Sequence, residues 1–302
     1  MTRRTWGLFV AMGVIWGVPY LLIREAVEEV SPAVVVFART AVGAVVLLPF
    51  AWRGLRAVWE HRWPVLAFAL IEMVGPWFLL SDAERHITSS LAGLLIAFAP
   101  VIALVVARAT GLEGRIGRVR VLGLVLAVGG VVALGGGGME ASGAWPVIEM
   151  LLVALGYGVA PQIAAVRLRE VPPLSLTAVC LSIAAVISAP FASLTWPAEV
   201  PSVTALGSLA LLGLLCTALA FLLFFRLIAA AGPSRATAIA YVNPVVALAL
   251  GVALHGDPLT LLIGAGAVLV LAGTFLATRP SGRDGGPTPE GGRRTRSARA
   301  AT

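Results

Sequence analysis

The sequence predicts an all-α membrane protein: ten transmembrane helices arranged as two inverted five-helix repeats. Three observations carry this. Of 302 residues, 59% are hydrophobic and 12% charged, with a mean hydropathy of +0.96, far more apolar surface than a soluble domain can bury. Ten apolar segments have the roughly 20-residue length a bilayer crossing needs. The chain also resembles itself at offsets of 141 to 144 residues.

The segments fall in order at 6–23, 32–52, 64–82, 88–107, 119–136, 146–165, 173–193, 204–225, 235–254 and 259–278. The first carries no small-residue cleavage site before the acidic loop, so it is read as a span and not as a signal peptide. The intervening loops are short and hold Pro, Gly, Ser or charge. Residues 279–302 contain no apolar run and are expected to be a disordered basic tail.

All 22 basic residues are arginines. With the N-terminus placed in the cytoplasm, Arg3, Arg4, Arg53, Arg56, Arg62, Arg108, Arg115, Arg118, Arg120, Arg167, Arg169, Arg226 and Arg235 all fall on the cytoplasmic side, and the tail adds more. The outer loops hold only Arg24 and Arg85, and Arg39 alone lies within a span. This is the positive-inside distribution, with both termini cytoplasmic in the cell membrane. It explains the net charge of +7 without nucleic acid as a partner.

The repeat is anchored by prolines. Pro32 pairs with Pro173, Pro49 with Pro190, and Pro100 with Pro244; Trp16-Gly17 meets Tyr157-Gly158, and Gly123 and Gly130 meet Gly266 and Gly273. Within the pair containing Pro100 and Pro244, each proline is followed by an acid at the same distance, Glu113 in one copy and Asp257 in the other. The division expected is 1–136 for spans 1–5, an external connector at 137–145, and 146–278 for spans 6–10. Five spans per copy means that the second copy enters the membrane from the opposite face, the plan of many secondary transporters.

On these residues the chain resembles the drug/metabolite transporter superfamily, EamA type. The resemblance rests on Trp16-Gly17, Pro32 with Arg39, 90-SLAGLLIAFAPVIALVVA-107 followed by Glu113, 234-SRATAIAYVNPVVALALG-251, and 256-GDPLTLLIGAGAVLVLAG-273. It implies a ten-helix fold and export of a small molecule in exchange for protons. Two features depart from the family pattern. Gly256-Asp257 stands where Gly-Glu is usual, and Glu72 stands in span 3 where an apolar or small residue is expected.

Glu72 is the leading proton-coupling candidate. It sits roughly 12 Å from the cytoplasmic end of span 3 at 1.5 Å per residue. A charge at that depth costs several kcal/mol unless paired, hydrated or neutralised, and marks function by default. Its other reading is a paired or protonated structural carboxyl. Arg39, of order 8 Å away along the membrane normal by the same rise, is the partner to test and is otherwise structural. Trp16, Tyr20, Trp77, Tyr157, Gln162, Tyr241 and Asn243 join Glu72 as substrate-cavity candidates, since pockets combine aromatic walls with few polar groups. Near the span ends, Trp6, Trp52, Trp63, Trp145 and Trp196 read as an interfacial belt.

Pro100 and Pro244 should break cavity-facing helices. Glu113 and Asp257 read first as helix caps; Asp257 before Pro258 has the form of an N-cap for span 10. Gly13 and Gly17 read as a close-packing face. Catalytic and cofactor motifs are missing: there is no GxSxG, no HExxH, no phosphate loop and no histidine cluster for a metal. The expected function is therefore a secondary active transporter of a small metabolite or drug by alternating access. The lipid bilayer is its medium, protons are the coupling candidate, and its oligomeric state is open. The alternatives are a membrane-embedded enzyme and a non-transporting scaffold.

Overall fold

The computed structural model describes residues 2–232 and 236–279, with the side chains of 137–142 and 237 excepted. The expected disordered tail beyond Arg279, and Arg235, lie outside the described residues. Every regular element described is helical. The spans are α1 (Arg3–Val27), α2 (Pro32–Glu60), α3 (Arg62–Ala83), α4 (Ser89–Ala109), α5 (Arg118–Ser142), α6 (Ala144–Arg167), α7 (Pro173–Leu194), α8 (Val203–Ala231), α9 (Ala238–His255) and α10 (Leu261–Ala277). The first nine are long and apolar enough to cross a bilayer, and α10 is shorter.

Local sequence fixes the starts. Ser31, Thr88, Ser202 and Thr260 each accept a hydrogen bond from the backbone N–H three residues on, the N-cap geometry. Pro32 follows Ser31 at the first helical position, where a missing N–H costs nothing. Gly256, at φ +65°, ends α9 in the left-handed conformation that only glycine adopts cheaply. Two expected boundaries move. α2 continues through a 3-10 turn at Trp52–Gly54 to Glu60. The helix of α5 runs through most of the expected 137–145 connector to Ser142, leaving Gly143 as the joint before α6.

The packing obeys the repeat. Exchanging α1 with α6, α2 with α7, α3 with α8, α4 with α9 and α5 with α10 returns most of the contacts between the halves, whereas α5–α6, α4–α10 and the contacts of α1 with α2, α3 and α4 have weaker or no counterparts. The pairs α2–α7, α4–α9 and α5–α10 map onto themselves; α1–α9 maps onto α6–α4, α1–α8 onto α6–α3, and α2–α8 onto α7–α3. The distortions match as well. α3 carries a π-helical turn at Leu70–Val74, where Gly75 N–H reaches back five residues to Leu70. α8 carries one at Leu214–Leu219, where Ala220 N–H reaches Leu215.

The four repeat-related glycines form the α5–α10 seam. A Cβ at Gly130 would lie 2.6 Å from Val270 N, and one at Gly266 2.7 Å from the Leu134 side chain. Gly123 and Gly273 meet each other's backbone in the same way. In lipid, where no hydrophobic force drives helices together, such close backbone contact is what holds them.

The proline-broken helices are discontinuous instead of kinked. α4 is interrupted at Ala97–Phe98 and restarts with Pro100 in the first turn of Ala99–Ala109. α9 begins within a 3-10 turn, Thr237–Tyr241, and restarts at Asn243–His255 with Pro244 in its first turn. α1 is broken too, between Gly17 and Pro19. Gly13 and Gly17 receive Val242 and Val246 of α9 at these breaks, the close-packing role expected of them. The expected belt tryptophans Trp6, Trp52, Trp63, Trp145 and Trp196 are all exposed on the bundle surface.

Candidate functional site

The midplane charges sit on matched scaffolds. Arg39, on α2, is 7% exposed. Its Nε donates to Thr217 Oγ1 at 2.9 Å, and its guanidinium carbon lies 3.7 Å from the centroid of the Trp77 ring. Thr217 lies in the π turn of α8, and its own hydroxyl donates to Leu212 O at 2.8 Å. The turn thus frees a carbonyl, the hydroxyl satisfies it, and a lone pair remains to accept from arginine. π turns of this kind recur at functional sites.

Glu72 lies in the other π turn, on α3. Its Oε2 is buried with no hydrogen-bond partner. No ion pair joins Glu72 to Arg39 among the described residues. Tyr157 is within electrostatic reach of both, with the Trp77 indole beside its hydroxyl. The repeat offsets place the two cysteines at the mates of these charges: Cys180 answers to Arg39, and Cys216 to Glu72. Cys216 is electrostatically close to Arg39, and Cys180 to Glu72. Each charge therefore faces the cysteine that replaces the other one in the opposite half.

The structure brings together Tyr20, Arg39, Trp77 and Tyr157, with Glu72 within electrostatic reach of Tyr157. The other cavity candidates are engaged elsewhere. Trp16 packs on Phe221 and Phe224 of α8, at ring distances of 5.7 and 4.7 Å. Tyr241 pairs its hydroxyl with Thr278 and its ring with Phe275, tying α9 to α10. Gln162 donates to Ala103 O at 3.4 Å across α6–α4. With its amide nitrogen turned towards acceptors, Asn243 donates to Gly13 O and Ile239 O, bracing the breaks in α1 and α9. An open apolar groove of about 300 Å³ lies between α3 and α6, bordered by Leu70, Ile71, Pro76 and Gly156, and none of the cavity candidates lines it.

Asp257 does not cap α10. Thr260 does, because the helix begins only at Leu261, beyond the extended 257–260 segment. The aspartate instead reaches across the bundle. Oδ2 accepts from Ser90 Oγ at 2.6 Å and Ser90 N at 3.2 Å, and Oδ1 accepts from Arg24 Nη1 at 3.1 Å. It thus caps the first turn of α4 while locking α9 to α1. Beside it, Glu25 meets His255 at 2.5 Å. Glu84 is 2% exposed and close to Arg24 and Asp257; one of its oxygens faces Ser89 Oγ at 3.5 Å and the other has no partner. At the rim, Glu29 accepts from Ser202 Oγ and Ser202 N, which hold its carboxyl below the usual range.

At the opposite end, Glu113 accepts from Arg120 Nη1 at 2.8 Å, and Arg120 Nε donates to the last carbonyl of α10, Ala277 O, at 2.9 Å. Glu113 is therefore an ion-pair partner here. Glu84, Ser90, Thr217 and the Arg24–Asp257 pair were missed by sequence reasoning. Glu84 and Arg24 carried a faint signal, as charges immediately flanking apolar spans. Ser90 and Thr217 carried none.

Ten helices in two interlocked, oppositely entering halves, with broken helices and a polar layer between them, define a membrane transporter. The chain belongs to the EamA-like transporter family, whose model matches residues 5–136 and again 144–279. Its relatives carry transporter names. The Uncharacterized inner membrane transporter YedA of Escherichia coli K12 is 27% identical over 264 residues, 84% of either chain. An Uncharacterized transporter of Archaeoglobus fulgidus is 25% identical over 266 residues, 87% of this chain and 95% of that one. YvbV of Bacillus subtilis, also named an uncharacterized transporter, is 26% identical over 292 residues, 92% of each. A solved crystal structure superposes with a TM-score of 0.66 at 20% identity, covering 92% of this chain and 98% of that one, a likeness of fold alone.

Proposed function

We propose that this protein is a secondary active transporter that exports a small metabolite or drug-like solute by alternating access, in exchange for protons. The observation that carries the reading is the shared packing of the two halves, 1–136 and 146–278: α2–α7, α4–α9 and α5–α10 pair each helix with its own repeat mate, and three further pairs of contacts exchange between the halves. Such a pattern offers two related packings of similar energy, one open to each face. Glu72 supplies the coupling group. It is a carboxyl on a distorted turn between the halves, with one oxygen unpartnered. The polar lock of Arg24, Ser90 and Asp257 closes one mouth in this conformation, and the Glu113–Arg120 pair belongs to the other.

The arginine distribution supports an orientation with the Asp257 mouth outside, the Glu113 mouth in the cytoplasm and both termini cytoplasmic in the cell membrane. Single cysteines test this, in a background with Cys180 and Cys216 replaced by serine. A cysteine at Glu140 reacts with an impermeant maleimide in intact cells, and one at Gly117 reacts only after lysis. Labelling of position 117 from outside overturns the orientation. For transport itself, the purified protein is reconstituted into proteoliposomes bearing a pH gradient, and the metabolites lost faster by overexpressing than by deletion cells are supplied as solutes. Uptake driven by the gradient is the expected result. Equal metabolite loss from the two cell types, with no protein-dependent flux, refutes the transporter assignment.

A further inference from the structure

Arg39 is a cation without a counter-ion. Its burial is more than nine-tenths complete, and its hydrogen bonding stops at Nε, which is engaged by Thr217. The ring of Trp77 covers one face of the guanidinium. The two terminal nitrogens, Nη1 and Nη2, have no hydrogen-bond or ion-pair partner among the described residues. The groups that face Arg39 electrostatically are Tyr20, Tyr157 and Cys216, from α1, α6 and α8. Two acids are within electrostatic reach of those tyrosines, Glu84 of Tyr20 and Glu72 of Tyr157, and neither pairs with Arg39.

A guanidinium in a membrane interior is expensive unless paired. Here the supporting contacts fix its plane and leave its fork free. That fork matches the two oxygens of a carboxylate, with two parallel N–H···O bonds. Its aromatic neighbours are Trp77, stacked on the guanidinium, and Tyr20 and Tyr157, whose rings also carry hydroxyls. We propose that Arg39 is the binding site for the carboxylate of a small organic anion with a flat apolar body, held between Arg39 and the surrounding aromatic side chains. This deepens the transport reading and rests on it for what happens after binding: the carboxylate compound would be the solute carried.

The test uses the purified full-length protein in detergent, with indole-3-acetate and benzoate as probes and the corresponding amides as controls of the same shape. Binding is read by ligand-induced thermal stabilisation and by tryptophan fluorescence. The carboxylates should bind at least ten-fold more tightly than their amides. Arg39→Gln should lower carboxylate affinity at least ten-fold and abolish the preference over the amide. Arg39→Lys, which keeps the charge and loses the fork, should bind more weakly than the wild type yet still prefer the carboxylate. Should Arg39→Gln not fold, the wild-type and Arg39→Lys comparisons still decide. Equal affinity for acid and amide, no saturable carboxylate binding, or undiminished binding by a folded Arg39→Gln protein each overturns the proposal. Failure of the transport reading looks different: Arg39-dependent binding with no flux in proteoliposomes.

Discussion

Asp257→Ala lowers the melting temperature of the purified protein more than Glu113→Ala does, although the two acids occupy matching places in the repeat. The reason lies in what each substitution leaves behind. The Asp257 side chain is 2% exposed and accepts three hydrogen bonds, from Arg24 Nη1, Ser90 Oγ and Ser90 N. Its removal strips Arg24 of its ion pair and leaves an N–H at the start of α4 unsatisfied, with the Ser90 hydroxyl keeping only a 3.5 Å contact to Leu248 O. Breaking a buried pair while leaving its partner in place costs about 3–5 kcal/mol. Arg24 is 29% exposed, which reduces that toward about 2–4 kcal/mol. Glu113 is 33% exposed, and its partner Arg120 keeps the bond to Ala277 O when the glutamate is gone. A loss of about 1 kcal/mol or less is expected there. Thermal melts of the two variants under identical conditions make the comparison. Equal shifts, or a larger one for Glu113→Ala, would show that the cross-bundle lock does not hold the Asp257 end together.

The fold was legible because its determinants are one-dimensional. Ten apolar runs, arginines alternating between the ends, and prolines in register between two halves are properties of order along the chain. The site was legible only in part, because it depends on which side chains cross between helices far apart in sequence. Glu72 and Arg39 could be singled out, since a charge within a span is conspicuous wherever its partner lies. That Arg39 would choose Thr217, 178 positions away, could not be read, because a threonine in an apolar run carries no signal of its own. Asp257 shows the same limit. Asp-Pro is a strong local signature of a helix start, and it was overridden when the chain stayed extended to Thr260 and the carboxylate found a better-placed helix end on α4. Tyr241 and Asn243 flank the proline break as a cavity residue should, yet a break also leaves backbone groups to satisfy, and Asn243 is spent on that task. The matched π turns were beyond sequence pattern altogether, since nothing at Leu70–Val74 or Leu214–Leu219 departs from helical periodicity.

Glu72→Gln should uncouple transport from the pH gradient while leaving the fold intact. Glutamine has the size and shape of a protonated glutamate, so the packing of the α3 π turn against α6 and α7 is preserved. What is lost is the ability to exist in two charge states. If protons are exchanged through this carboxyl, each pH unit of gradient contributes ~1.4 kcal/mol per proton, about ten-fold in accumulation. Each 100 mV of membrane potential contributes ~2.3 kcal/mol per charge moved. Wild-type proteoliposomes with a one-unit gradient should accumulate solute towards that limit, and Glu72→Gln proteoliposomes should only equilibrate it. A second substitution separates coupling from mere structure. Glu72→Leu removes a buried unpartnered oxygen, so a purely structural role predicts equal or higher thermal stability together with unchanged coupling. A coupling role predicts the same stability gain with loss of gradient-driven accumulation. The two readings therefore part on flux and agree on melting temperature. Gradient-driven accumulation that survives in both folded variants would move the proton site away from the α3 π turn, and Glu84, which has an unpartnered buried oxygen beside the Arg24–Asp257 lock, would be the next group to replace.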